Sequence, residues 1–275
     1  MVTKNAGAPA QATYLLLSVS AAAAVAPFLL SVLTAVKSPA EFTASSPLSA
    51  PISPTWDNFI EVITGPMGFG AAIGNTTLAA AVLVATQVPL SIMAAYAFAT
   101  GRFAGRDFLF GTFVATLLIP PTALIVPLYF MVSQAGLAGT FAALIVPYVL
   151  GSPFAIFLLR QHFAAIPRDT IDAARIDGAS EWMILWRIAV PLCRPTIAVV
   201  IFITVVTQWN SFIWPRVVGG LDWQTVAVAT AAVQSQYRGN WTVVMAAATL
   251  ATIPLLTLFA VLQGQITKSL VLMEA

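Results

Sequence analysis

Polar and apolar residues form long blocks along most of this chain rather than interleaving. Six blocks are apolar over roughly 20 residues each. They are Tyr14–Val36, Asn75–Ala99, Phe108–Met131, Thr140–Leu159, Pro195–Pro215 and Val243–Gln265, and none holds a Lys, Arg, Asp or Glu. Such runs are too long for buried strands. In lipid, a helix satisfies its own backbone groups. The predicted fold class is therefore all-α, a polytopic membrane protein with six transmembrane helices. Pro27, Pro89, Pro120, Pro121, Pro127, Pro147, Pro153 and Pro254 fall inside the blocks. Membrane helices tolerate proline, often as a kink.

Composition agrees. Of 275 residues, 59% are hydrophobic and 8% charged, against about a quarter charged in soluble domains. One cysteine, Cys193, excludes an intrachain disulfide framework. Lys4 and Ala21–Ala24 give the first block the look of a signal peptide. The apolar run continues through Pro27, Phe28, Leu29 and Leu30, longer than a typical signal core, so a retained span is expected.

Net charge of +2 does not point to nucleic acid, and no nucleic-acid partner is expected. The cations serve better as topology markers. With the N-terminus in the cytoplasm, Lys4, Arg102, Arg106, Arg160, Arg168, Arg175, Arg187, Arg194 and Lys268 lie inside, and only Lys37, Arg216 and Arg238 lie outside. Both termini are then cytoplasmic. Residues 1–13 form an N-terminal tail, 14–266 the membrane domain and 267–275 a C-terminal tail.

Two outer loops stand out. Lys37 to Gly74 is rich in Pro, Ser and Ala and reads as extended chain with turns. Val217–Trp241 opens with Gly219–Gly220, a flexible hinge, and continues apolar enough for a short helix or a re-entrant segment.

The inner loop at about 160–194 carries the most patterned stretch, DAARIDGASEWMILWRIAVP, from Asp172 to Pro191. After Pro167, Asp169 or Thr170 caps a helix and Asp172 sits in its first turn, where the dipole favours acids. Ala173 and Ala174 are strong helix formers of little bulk. Gly178 ends the helix in a left-handed conformation. Ser180 caps a second helix with Glu181 in its first turn; Trp182, Leu185, Trp186 and Ala189 follow at helical spacing, and Pro191 closes it. Pattern alone allows two readings: an amphipathic hairpin in the headgroups, or a docking surface for a cytoplasmic protein.

His162 stands alone, Cys193 reads as structural, and no hydrolase or metalloprotease constellation is present. No metal site is expected and no catalytic residue is assigned. GQITKS, ending beside Lys268, lacks the glycine spacing of a P-loop. Ion-coupled transporters usually carry ionisable residues within their spans, and none is found here. Gln208, Trp209, Asn210, Phe212 and Trp214 group at the outer end of the fifth block. Aromatic faces beside amides suit a polyol in a substrate pathway; an interfacial aromatic belt is the other reading.

The inner loop resembles the EAA loop of ABC importer permeases. Its signature stands here as Asp172-Ala173-Ala174, Asp177-Gly178-Ala179, Ile188-Ala189-Val190-Pro191 and Pro195. It departs at Asp172, where Glu is usual, and at Val190, where Leu is usual. GNTTLAAAVLVATQVPLSIMAAYAFATGRFAGRD, SPFAIFLLRQHFAAIPRDTIDAA, QWNSFIWPRVV and LQGQITKSLVL extend the likeness to carbohydrate-type permeases, especially the maltose-type second subunit. The resemblance implies the inner membrane of a prokaryote, a second homologous permease, two ATPase subunits that bind ATP and Mg2+, and an external solute-binding protein. No cofactor would bind this chain itself. Asp172, Ala173, Ala174, Asp177, Gly178 and Pro191 would belong to the ATPase-coupling segment, the first EAA helix entering a groove of one ATPase subunit. A sugar, a related polyol or a glycerophosphate compound would be the solute.

Overall fold

The structure is a computed structural model that describes residues 7–274, with side chains from 11 to 269. Residues 1–6 of the expected N-terminal tail, Lys4 among them, lie outside the described residues, and residues 7–13 belong to the first helix rather than to a tail. Regular structure among those described is helical throughout. In chain order the helices are α1 (Gly7–Ala35), α2 (Pro39–Ala44), α3 (Asp57–Thr64), α4 (Phe69–Thr100), α5 (Arg106–Thr116), α6 (Ile125–Gln134), α7 (Phe141–Ile145), α8 (Pro153–Ala164), α9 (Arg168–Ile176), α10 (Glu181–Ile184), α11 (Val190–Leu192), α12 (Arg194–Trp209), α13 (Ile213–Val218), α14 (Val226–Gln236) and α15 (Trp241–Glu274).

Three helices, α1, α4 and α15, are each long and apolar enough to cross a membrane unbroken. Three more spans arise only if bent pairs are joined: α5 with Pro121–Gln134 at 93°, Phe141–Tyr148 with α8 at 42°, and Glu181–Leu192 with α12 at 83°. The count reaches the expected six, and five of the eight prolines fall into two kinds. Pro27, Pro89 and Pro254 stay inside continuous helices. Pro121 and Pro153 begin new ones. A residue before proline is driven out of the helical region, and Pro120 (ψ 128°) and Ser152 (ψ 126°) are both extended. Pro121 and Pro153 then occupy the first helical turn, where a missing N–H costs nothing.

Some expected boundaries move. The fifth block does not run helical to Pro215: α12 stops at Trp209, and α13 is a separate short helix. Residues 267–274 are no loose tail but a continuation of α15.

The chain divides into two compact units, Met1–Gly70 with Thr230–Ile253 and Ala71–Ala229 with Pro254–Ala275. In the first, the side chains of α1 from Gln11 to Phe28 are exposed. Lower down, the Ser31 hydroxyl reaches the Met245 carbonyl of α15 at 3.4 Å. The loop after α1 is not merely extended chain, because α2 and α3 form within it. Ser38 caps α2 by accepting from the Glu41 amide, with Pro39 at its start. Lys37, one of the three cations assigned to the outer side, is fully buried. Its ammonium donates to the Ser46 carbonyl (3.1 Å) and to the Ser49 hydroxyl (3.0 Å). Asn58 joins three segments: its amide donates to the carbonyls of Ala35 (2.7 Å) and Lys37 (2.8 Å), and its carbonyl accepts from the Thr242 hydroxyl at 2.9 Å.

The second unit has a continuous apolar core. Val88, Ile92, Ala95 and Tyr96 of α4 meet Ala155, Ile156, Leu159 and Phe163 of α8, and Ile171, Ile184, Leu185, Ala189 and Val200 close over them. The expected hinge at Gly219–Gly220 is instead a packed turn. A Cβ on Gly219 would lie 2.7 Å from the Trp223 carbonyl and 2.8 Å from that of Pro215. The turn is held further by the Gly139 amide, which donates to the Val218 carbonyl at 2.8 Å. Beyond it lies α14, the short helix that the apolar sequence allowed.

Candidate coupling hairpin and solute cavity

The helix α9 begins two or three residues earlier than expected. Its first residue is Arg168, Pro167 precedes it, and no side chain caps it. Asp169, not Asp172, therefore occupies the first turn. Ile171 is buried and Ala174 packs against the core. The opposite face carries Asp169, Asp172, Ala173, Ile176 and Asp177, all exposed. Their spacing places them on one stripe. Ile176 is 86% exposed, an apolar side chain among three carboxylates. Gly178 ends the helix at φ +83°, in the left-handed region as expected. Ser180 caps the next helix, accepting from the Met183 amide at 3.3 Å.

The second helix of the hairpin is irregular. Leu185–Ala189 is a π-turn between α10 and α11, so the expected even face does not form. Pro191 lies within α11, and the chain turns at Cys193 instead. Ile184, Leu185 and Ala189 are buried in the core. The hairpin thus rests its apolar face on protein. Trp182 stays exposed, its ring edge-on to Trp186 at 5.5 Å.

A polar chain ties this hairpin to α4. The Tyr96 hydroxyl donates to Glu181 Oε2 at 2.9 Å. Glu181 Oε1 accepts from Arg175 Nε at 2.7 Å, and Arg175 Nη1 donates to Asp172 Oδ1 at 2.9 Å. The bond from Arg175 is the main reason the Glu181 carboxyl sits below its usual range; desolvation opposes it. Tyr96 carried no role in the sequence reading, and Arg175 served there only as an inner-side cation. They are 79 residues apart in the chain (175 − 96), and no local pattern links them.

In the second unit a cavity of about 550 Å3 opens among α4, α8, α12 and their connections. Gln87, Ser152, Thr204, Thr207, Gln208 and Ser211 contribute polar groups to its wall, and no charged residue lines it. Of the five expected pathway residues, only Gln208 is there. Trp214 is buried and donates its indole N–H to the Ala143 carbonyl at 3.1 Å, a packing role. Trp209 is buried, while Asn210 is exposed and donates to the Val206 carbonyl. Phe212 is exposed. Sequence reasoning missed Thr204, Thr207 and Ser211. Thr204, Thr207 and Gln208 fall at i, i+3 and i+4, one face of α12, and Ser211 follows just past its end.

No group of three or more His, Cys, Asp or Glu that could hold a metal occurs among the described residues. His162 lies with Nδ1 3.1 Å from the Leu158 carbonyl.

Residues 87–271 match the family described as the binding-protein-dependent transport system inner membrane component. The chain belongs to this family. It is a permease component of a binding-protein-dependent ABC importer and a multi-pass membrane protein. Over 214 residues the permease is 32% identical to the arabinooligosaccharides transport system permease protein AraQ of Halalkalibacterium halodurans, covering 78% of this chain and 76% of that one. It is 30% identical to the lactose transport system permease protein LacG of Rhizobium radiobacter, covering 86% and 92%. The sn-glycerol-3-phosphate transport system permease protein UgpE of Yersinia pestis is 28% identical, over 78% and 79%. In fold, the permease is similar to a bacterial ABC transporter involved in the import of the acidic polysaccharide alginate, with a TM-score of 0.83 at 20% identity over 97% of this chain and 99% of that chain.

Proposed function

We propose that this permease forms half of the path for an uncharged sugar or oligosaccharide delivered by an external binding protein. A second homologous permease forms the other half, and two ATPase subunits supply ATP hydrolysis with Mg2+. The observation that carries the substrate class is the cavity wall. Amides and hydroxyls of Gln87, Thr204, Thr207, Gln208 and Ser211 offer donors and acceptors without charge. A polyol is matched by such groups; a phosphate ester would be desolvated there without a cation. Relatives named for arabino-oligosaccharides and lactose support the same choice.

Coupling runs through α9 in this reading. Its exposed stripe sets Ile176 and Ala173 between Asp169, Asp172 and Asp177, a small apolar knob framed by acids. A groove with basic rims on an ATPase subunit complements it. The positive-inside bias puts this hairpin and both termini in the cytoplasm. The test is uptake by the reconstituted importer of labelled arabino-oligosaccharides, lactose and sn-glycerol 3-phosphate, with ATP inside the vesicles. Uptake of a neutral sugar is expected. Preferential uptake of the phosphate ester overturns the substrate assignment.

A further inference from the structure

We propose that the chain Tyr96–Glu181–Arg175–Asp172 is a latch that fastens the coupling helix to α4, with Arg175 as its positioning residue. The inference rests on the coupling role given to α9 above.

The two ends of the latch differ in kind. Tyr96 is 6% exposed, and its ring meets Phe163 edge-on at 5.8 Å. That end is fixed by packing. The other end is open: the Arg175, Glu181 and Asp172 side chains are 40%, 58% and 60% exposed. Exposed ion pairs contribute little to stability. What these pairs supply is geometry. Arg175 uses two different nitrogens, Nε toward Glu181 and Nη1 toward Asp172. It thereby holds α9 and the start of α10 in one relation across the Gly178 turn. Lysine, with a single ammonium, lacks that fork.

The latch also lies on a line of force. Gln87 of α4 faces the solute cavity. Tyr96 follows nine residues later in the same continuous helix, about 14 Å along its axis. A displacement of α4 at the cavity wall therefore reaches Glu181, and through Arg175 it reaches α9. A cleft of about 580 Å3, lined by Tyr96, Thr100, Arg102, Asp172, Arg175 and Glu181, flanks the latch and gives the pairs space to part.

The test uses the assembled importer with its binding protein in vesicles, supplied with lactose and arabino-oligosaccharides. Tyr96→Phe removes one hydroxyl and keeps the contact with Phe163. The expected result is that ATPase subunits still co-purify, that stimulation of ATP hydrolysis by loaded binding protein falls about fivefold to tenfold, and that more ATP is consumed per sugar moved. Arg175→Ala is expected to do the same. The double variant is expected to be no worse than either single one, because both cut one chain. Stimulation in Tyr96→Phe equal to that of the unaltered importer overturns the latch. So do additive losses in the double variant, which mark two independent structural contacts. If the unaltered permease binds no ATPase subunit, the coupling reading fails, a result distinct from any latch variant's.

Discussion

The permease holds two polar networks of opposite character. In the first unit Lys37, Asn58 and Thr242 are 0%, 4% and 0% exposed. Apart from the Lys37 ammonium, that network has only neutral groups, and Asn58 alone makes three bonds within it. In the second unit, Asp172, Arg175 and Glu181 are ionised and open to solvent, and only Tyr96 is buried. A buried polar group left unpaired costs its full desolvation, so the Asn58 network makes its segments inseparable. An exposed ion pair breaks and reforms at little cost. The difference separates a fixed joint from an adjustable one.

Breaking the fixed joint has the largest expected effect. Asn58→Ala leaves the carbonyls of Ala35 and Lys37 without their donor and removes an acceptor from Thr242. Thr242 keeps a second acceptor, Asn240 Oδ1 at 2.8 Å. The expected loss is about 2–4 kcal/mol, read as a lower thermal midpoint in detergent. The ATP consumed per sugar by the surviving protein should stay unchanged. A change in that ratio with no loss of thermal stability contradicts the assignment of a fixed joint.

Gly178 gives an intermediate effect. At φ +83° an added Cβ meets nothing within 4 Å, so the cost is the left-handed backbone alone. For Gly178→Val this is about 1–2 kcal/mol. It falls on the turn between α9 and α10, and co-purification of the ATPase subunit should weaken. Gly178→Asn should be tolerated better, since Asn visits this conformation routinely. Equal behaviour of the two variants argues that the turn does not set the pose of α9.

These residues also show what the sequence made legible. Gly178 and Ser180 are readable because turn and cap chemistry is local to a few residues. The six spans are readable because lipid demands long apolar runs. The breaks at Pro121 and Pro153 were legible in principle from the rule for residues before proline, yet average hydropathy runs straight across them. The stripe Thr204, Thr207, Gln208 and Ser211 was present at helical spacing, but hydroxyls hardly lower the hydropathy of a span. Lys37 gives no sign of burial, because the oxygens that hold it come from a loop 9 to 12 residues on. Tyr96 meets Glu181 across 85 residues, a pairing only tertiary packing creates.

The smallest expected effect is a pH dependence of the adjustable joint. The Glu181 carboxyl is held below its ordinary value of 4.5, first by the bond from Arg175. A depressed carboxyl contributes stability that is fully present above its unfolded value and is lost as pH falls through the folded one. The window therefore lies below about pH 5. Glu181 is more than half exposed, so solvent screening reduces the contribution to under about 0.5 kcal/mol. Thermal midpoints between pH 6 and pH 3 should show this small slope above a larger background from the other carboxylates, and subtraction of a Glu181→Gln series isolates it. In an Arg175→Ala background the same subtraction should leave almost nothing, because the main cause of the depression is gone. A full-sized difference there would mean that Tyr96, the other donor to Glu181, holds the carboxylate by itself, and the joint would end at α10 rather than reach α9.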